Sequence, residues 1–273
     1  MASLVGSRVE RKEDKRLLTG KGRYTADINI ANQTYAAFVR SPHARAKIKK
    51  VDISKALKAS GVVSILTGEE IAKDKIGGLI AGWAIRSEDG SEMNVPANPP
   101  LAKDIANFVG EPIAVVFAES LDEARAAADL VKVDYKVLKG VINTADAMKS
   151  EAIHEGIDKN LCYDWLLGDR KAVDEAFAKA DKIIKVDLIN NRLVPNAMEP
   201  RACVVDYNTA SEEITLYTTS QNPHLSRLVM SAFGGVAPEN KLRVVAPDVG
   251  GGFGSKINVY NEEIVCSWAS KKI

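Results

Sequence analysis

No run of about 18 apolar residues occurs anywhere in the 273-residue sequence, which excludes a membrane-spanning helix of ordinary length. The N-terminal stretch MASLVGSRVERKEDKRLL lacks the apolar segment of an export signal and is charged within its first dozen residues. Charge of one sign is not concentrated anywhere. The 37 Lys and Arg nearly balance the 36 Asp and Glu, leaving +1. Their scatter removes the basic footprint that nucleic acid or an anionic membrane requires. Cysteine is scarce too: Cys162, Cys203 and Cys266 share no metal-ligand spacing, and an odd count argues against a disulfide framework. These absences point to a soluble, cytoplasmic protein with reduced thiols.

What is present is ordinary globular stock, 46% apolar and 27% charged, enough for one large or two medium domains. Residues 1–22 read as an irregular arm ending at Thr19-Gly20-Lys21-Gly22. A first domain is expected over 23–140, where short elements alternate. Residues 33–40 and 47–53 read as strands joined by the Ser41-Pro42-His43 turn, Ser54 caps a short helix closed by Gly61, and 62–66 form a further strand. Thr67 with Glu70 and Ser120 with Glu123 match capping boxes. Residues 75–109, with Gly77-Gly78, Pro96, Pro99 and Pro100, read as a long loop. PIAVVFA at 112–118 is a buried-strand pattern. Helical spacing of Leu121, Ala124, Ala128 and Val131, then alternation at Val133, Tyr135 and Val137, completes a strand–helix–strand unit.

Residues 141–168, with His154 and Trp165, carry few periodic signals and read as a linker. A second domain over 169–273 opens with a helix at 170–180 whose Val173, Ala176, Phe177 and Ala180 make an apolar stripe. Strands are expected at 182–189, 202–208 and 213–219. The last runs into Ser220-Gln221-Asn222. Pro223 suits a first helical residue with Asn222 as N-cap. Leu225, Leu228, Val229, Ala232 and Phe233 fill one face until Gly234-Gly235 end the helix. A final helix begins near Asn261, and the sequence stops at Ile273 without a polar closing segment, which reads as a cut rather than a natural terminus.

The densest chemical signal is KLRVVAPDVGGGFGSK at 241–256, a short apolar strand entering four glycines between residues 250 and 254. Such a cluster serves close backbone approach or positive φ, and its bare N–H groups can face an oxygen-rich ligand. A phosphate-cradling loop needs Gly before its Lys and a hydroxyl residue after it; here Ser255 precedes Lys256 and Ile257 follows. A dinucleotide fingerprint needs a third glycine where Ile257 stands. A ligand-free glycine turn, a core role for Phe253, an ion pair between Glu199 and Arg201, and a solvated or ligand-facing Lys256 all remain open from the residues alone. His43 and His224 read as turn residues.

The set SQNPH at 220–224, GGGFGSK at 250–256 and Asn196-Ala197-Met198-Glu199-Pro200 resembles the molybdenum-binding large subunit of the xanthine dehydrogenase and aldehyde oxidase family, with wording nearest its carbon monoxide dehydrogenase-like branch. GKGRYTAD at 20–27, Ser41-Pro42-His43-Ala44 and Gly110-Glu111-Pro112 resemble the same family's first domain, so the likeness runs across nearly the whole chain. It implies an α+β (α/β) protein: an α/β-hammerhead domain, then the first part of a molybdopterin-binding domain. Gln221 matches the glutamine whose amide approaches the metal's oxo group without ligating the metal. Gly251, Gly252, Phe253 and Gly254 match the loop against the metal centre and its pterin. The implied cofactor is molybdenum-molybdopterin in the cytosine dinucleotide form. FAD and [2Fe-2S] clusters are expected on partner subunits alongside the rest of the large subunit. The implied reaction is hydroxylation of a small aldehyde, N-heterocycle or carbon monoxide with water as oxygen source. Ile257 replaces a substrate-holding glutamate of purine-oxidising members, which argues against purines. The family's glutamate base lies beyond Ile273, so no catalytic residue is expected in this chain, which alone would be inactive. The residues leave two rivals: a non-catalytic scaffold with this fold, or a phosphate- or nucleotide-binding enzyme using the 250–254 loop.

Overall fold

The computed structural model describes residues 5–273. The arm is not wholly irregular, because Asp14–Leu18 forms a short helix, α1. It is tied down at a distance. Arg16 pairs with Asp248, its Nη2 donating to Oδ1 at 2.6 Å, and the Arg23 N–H donates to Asp248 Oδ2 at 2.7 Å.

The first half is built from β1 (Tyr35–Arg40), β2 (Ala46–Asp52), β3 (Val62–Thr67), α2 (Gly68–Lys73), β4 (Ile105–Ala106), β5 (Pro112–Ala118), α3 (Leu121–Ala128) and β6 (Lys132–Val137). Two three-stranded antiparallel sheets result, in the orders β1-β5-β3 and β4-β2-β6. β5 is the central strand of its sheet and is buried along its whole length, which is why PIAVVFA is continuously apolar rather than alternating. Thr67 and Glu70 form the expected capping box, and Ser120 accepts from the Glu123 N–H at the start of α3. The stretch expected to be a helix after Ser54 is only a single 3-10 turn, Ala56–Lys58. The turn at 41–43 and the Gly110-Glu111 turn meet: Ser41 N–H donates to Glu111 O at 2.9 Å and Gly110 N–H to Ser41 O at 2.8 Å. The buried Glu111 carboxyl accepts from the Asn107 N–H, and desolvation raises it above the usual carboxylate range.

The second half contains α4 (Arg170–Lys179), β7 (Cys203–Asn208), β8 (Glu213–Thr218), α5 (Pro223–Ala232), β9 (Leu242–Val245) and α6 (Asn261–Ala269). β7 and β8 pair antiparallel, while β8 and β9 pair parallel, with α5 as the crossover that a parallel connection needs. Leu66, Leu101, Val115 and Phe117 from the first half pack in one cluster with Ile214, Leu216, Met230, Val236 and Trp268 from the second, so the two halves share a core. Trp268 also donates through its indole N–H to Asp74 at 2.8 Å.

Three expectations fail here. Residues 182–189 form no strand, because among the described residues nothing pairs with them. The stripe of α4 faces solvent, with Val173 and Phe177 both more than half exposed. On α5 the buried face is Ser226, Val229 and Met230, rotated by about a quarter of a turn from the face the periodicity suggested, so Leu225, Leu228 and Phe233 turn outward. Asn222 occupies the N-cap of α5 without a side-chain cap bond, and its own N–H is taken by Ser220 Oγ at 3.0 Å.

Candidate functional site

Parallel pairing of β8 and β9 decides the geometry. Tyr217 lies opposite Val245, so both chains leave the sheet at the same edge, the place where α/β sheets gather ligands. The 220–222 segment and the glycine loop therefore meet. Gln221 N–H donates to Lys256 O at 2.8 Å. Its side-chain Oε1 accepts from Gly254 N–H at 3.1 Å and from Lys256 N–H at 3.2 Å. Main-chain N–H groups can only donate, so the bonded end must be the carbonyl. The carboxamide NH2 has no protein partner among the described residues and remains a neutral donor.

Gly250 has no room for a side chain, since a Cβ there would sit 2.5 Å from Glu199 Cβ, while Gly252 is crowded only by the flexible end of Gln221. A Cβ on Gly252 would sit 2.5 Å from Gln221 Oε1. Phe253 takes positive φ, 51°, flanked by Gly251 at 98° and Gly254 at 89°. A left-handed aromatic residue is strained by order of 1–3 kcal/mol, and its ring is 73% exposed, so the core role left open for Phe253 does not hold. Ser255 closes the turn, its N–H and Oγ both donating to Gly252 O at 2.9 and 2.8 Å. Among the described residues no protein acceptor takes the N–H of Gly251, Gly252 or Phe253. Three successive main-chain donors and one carboxamide NH2 are what the loop offers.

Behind the loop lies a feature the sequence did not disclose. Lys256 Nζ donates to Glu199 O at 2.8 Å and Oε2 at 3.1 Å, with the lysine side chain 1% and the glutamate 13% exposed. Glu199 Oε2 also accepts from Gly250 N–H at 2.7 Å, and Glu199 N–H donates to Gly250 O at 3.2 Å. Lys256 is thus neither solvated nor turned to a ligand. Glu199 does not pair with Arg201, whose guanidinium instead stacks 3.4 Å above the Tyr260 ring. The Tyr260 hydroxyl donates to Ser255 O. The only signal available beforehand was that Glu199 sits in a motif. A partnership across 57 residues leaves no periodic trace.

A cleft of about 790 Å3 lies elsewhere, at the seam of β1 with β7 and α6; Lys256 reaches it, while Gln221 and residues 250–254 do not. It is lined in part by Cys203 and Cys266. The hydrogen bond to Cys266, then burial, pushes the Cys203 thiol well up, so it stays a neutral thiol. All three cysteines are unbridged.

Residues 19–139 match the aldehyde oxidase and xanthine dehydrogenase a/b hammerhead domain, and residues 153–273 match the molybdopterin cofactor-binding domain. The chain belongs to the xanthine dehydrogenase and aldehyde oxidase family of molybdenum hydroxylases. Among curated members it is 35% identical to the nicotine 6-hydroxylase large subunit of Paenarthrobacter nicotinovorans, over 99% of this chain and 32% of that protein. It is 32% identical to the carbon monoxide dehydrogenase large chain of Afipia carboxidovorans, over 97% of this chain and 33% of that protein. The quinoline 2-oxidoreductase of Pseudomonas putida superposes with a TM-score of 0.85 at 31% identity, over 97% of this chain and 33% of that one. The chain therefore spans about a third of the length of these three relatives and corresponds to an N-terminal portion of a molybdenum hydroxylase large subunit. Both halves of the fold, hammerhead and molybdopterin-binding, carry the family's mixed helix-and-strand architecture.

Proposed function

We propose that this chain is the N-terminal part of the molybdopterin-binding catalytic subunit of a molybdenum hydroxylase. The complete enzyme hydroxylates a small aldehyde, N-heterocycle or carbon monoxide, with oxygen from water and electrons leaving through iron–sulfur and FAD subunits. The observation that carries the reading is Gln221: its carbonyl is held by two N–H groups of the glycine loop, so its NH2 and the free N–H groups of 251–253 are presented together.

This donor set fits a bulky cofactor that carries neutral and weakly charged oxygens. When bound, molybdenum with its pterin would supply Lewis acidity and a two-electron acceptor. The chain's own residues bind and orient. The Gln221 NH2 would donate to an oxygen of the metal centre, and Gly251, Gly252 and Phe253 would line the pterin with bare main chain. Gly254 leaves open space, since a Cβ there would meet nothing within 4 Å. Glu199 ties both ends of the loop, through Gly250 N–H and the Lys256 ammonium. Cytosine dinucleotide as the pterin's extension, and a cytoplasmic location, belong to the same reading.

The rival phosphate-binding reading is disfavoured by two features. No helix opens directly at the glycines, since α6 starts only at Asn261, so no N-terminal dipole faces the loop. Lys256, the cation a phosphate would need, is already matched by Glu199. Molybdenum and pterin analysis of the purified native complex tests the proposal. Stoichiometric metal and pterin agree with it, their absence from a folded complex supports a scaffold, and tight ATP or NAD binding supports the nucleotide alternative.

A further inference from the structure

The stretch from Asp14 to Tyr24 closes on one carboxylate. Helix α1 buries no residue, so apolar packing does not account for its place in the fold. Its C-terminus is a glycine cap: Gly20 takes φ 70°, its N–H donates to Leu17 O at 3.2 Å, and Lys21 N–H donates to Arg16 O at 2.9 Å. The cap turns the chain back and brings Arg23 alongside Arg16. Both then meet Asp248. The Arg16 guanidinium takes both carboxylate oxygens, Nη1 donating to Oδ2 and Nη2 to Oδ1, the second at 2.6 Å, while Arg23 N–H donates to Oδ2 at 2.7 Å. Asp248 N–H returns a bond to Arg23 O at 3.0 Å, and Tyr24 forms a parallel bridge with Asp248.

Asp248 stands two residues before Gly250, on the segment that carries the chain from the sheet to the glycines. The ladder with β8 has ended at Val245, and Pro247 has no N–H to give. Farther on, Glu199 ties Gly250 and Lys256, and Gln221 holds Gly254 and Lys256. The entry to the loop is secured from the other end of the chain, by the arm. We infer that Arg16 is a positioning residue for the glycine loop: acting through Asp248, it fixes where the loop begins and so where the free N–H groups of 251–253 stand. This rests on the proposed reading of that loop as part of the cofactor site. Arginine suits the role because its planar fork fixes both oxygens of a carboxylate, whereas a lysine ammonium meets them as a point charge. The Arg16 and Asp248 side chains are 41% and 20% exposed, so the pair can be cut without opening the core.

The test uses the native complex with Arg16→Ala or Arg16→Lys in this chain, read by hydrogen exchange with mass spectrometry and by electron paramagnetic resonance. In Arg16→Ala a peptide covering 246–252 is expected to exchange about tenfold faster, while peptides from β8 and α6 keep wild-type rates, because only the loop's entry is released. Arg16→Lys should restore part of the protection. At equal molybdenum content the metal's g-values should be displaced in Arg16→Ala and lie nearer wild type in Arg16→Lys, which a contact serving stability alone would not produce. Arg86→Ala, which cuts the exposed Arg86–Glu92 pair, is the control and should alter neither readout. The inference is overturned if exchange over 246–252 rises by less than about twofold in Arg16→Ala, or if it rises equally across β7, β8 and β9. An equal change in the control, or superimposable spectra at full metal occupancy, would overturn it too. A folded wild-type complex without molybdenum defeats the cofactor reading, and the exchange comparison alone then decides whether Arg16 holds the loop.

Discussion

Replacing Glu199 with Ala probes how the glycine loop is held. The change leaves the Lys256 ammonium, 1% exposed, with only the Glu199 main-chain carbonyl as a partner, and removes the acceptor of Gly250 N–H. Breaking a buried ion pair by removing one partner costs about 3–5 kcal/mol, and an orphaned buried N–H about 1–3 kcal/mol. Two observations pull the total to the lower end: Glu199 is partly exposed, and its Oε1 already lacks a partner. A local cost of about 4 kcal/mol converts to roughly 700-fold faster opening at 1.4 kcal/mol per tenfold. Hydrogen exchange of a peptide covering 245–260 reads that opening directly. Glu199→Gln keeps the Gly250 bond and loses the charge, so it should fall between wild type and Ala. Adding Lys256→Met to Glu199→Ala should recover part of the loss, because the stranded charge goes with it. The reasoning is refuted if Glu199→Ala changes exchange in that peptide by less than about threefold, or if the two substitutions are strictly additive.

Three further outcomes follow from the charges and the loop. Burial raises the Glu263 carboxyl above its ordinary range, partly offset by the Thr218 hydroxyl and the Tyr260 N–H that donate to it. An acid with a raised folded-state value favours the fold when protonated and costs stability as pH rises through that value, so Glu263→Gln should unfold in urea at a higher midpoint than wild type at pH 7, with the gain vanishing at low pH. Asp248, whose carboxylate is held down to about 2 by the Arg16 guanidinium and the Arg23 N–H, works in the opposite sense. Its contribution is complete above the unfolded value near 4 and fades toward 2. Protection of the Arg23 amide should fall over that window in wild type, and in Asp248→Asn should already be low at pH 7. Gly252→Ala places a methyl 2.5 Å from the end of the Gln221 side chain. That end can swing aside, so thermal stability should drop by only about 1 kcal/mol, while carbon chemical shifts of the Gln221 amide should move to a free-side-chain value.

Much of this was legible beforehand, for a local reason. β5 and α2 are specified by contiguous pattern and by Thr67 with Glu70, and they form where the residues placed them. The approach of Gln221 to the glycine loop was foreseeable because two strand-end loops were identified. It is realised because the β8–α5–β9 connection makes those strands parallel neighbours. Residues 182–189 show the opposite case: their strand pattern is sound, yet a strand exists only with a partner, and none is paired with it here. The outward turn of Leu225 and Leu228 was hidden because apolar spacing marks a stripe without saying which edge of it faces the core. The Glu199–Lys256 lock was hidden because charge pairing over long separations has no period.

The central claim is that the carboxamide of residue 221 and the main chain of 250–254 form one site for a metal–pterin group. Electron paramagnetic resonance of the partly reduced native complex, wild type against Gln221→Ala at equal molybdenum content, tests it most directly. The account predicts a molybdenum signal in both, with g-values and proton couplings displaced in the variant because a donor to the metal's oxygen is gone. Superimposable spectra at full metal occupancy would contradict it.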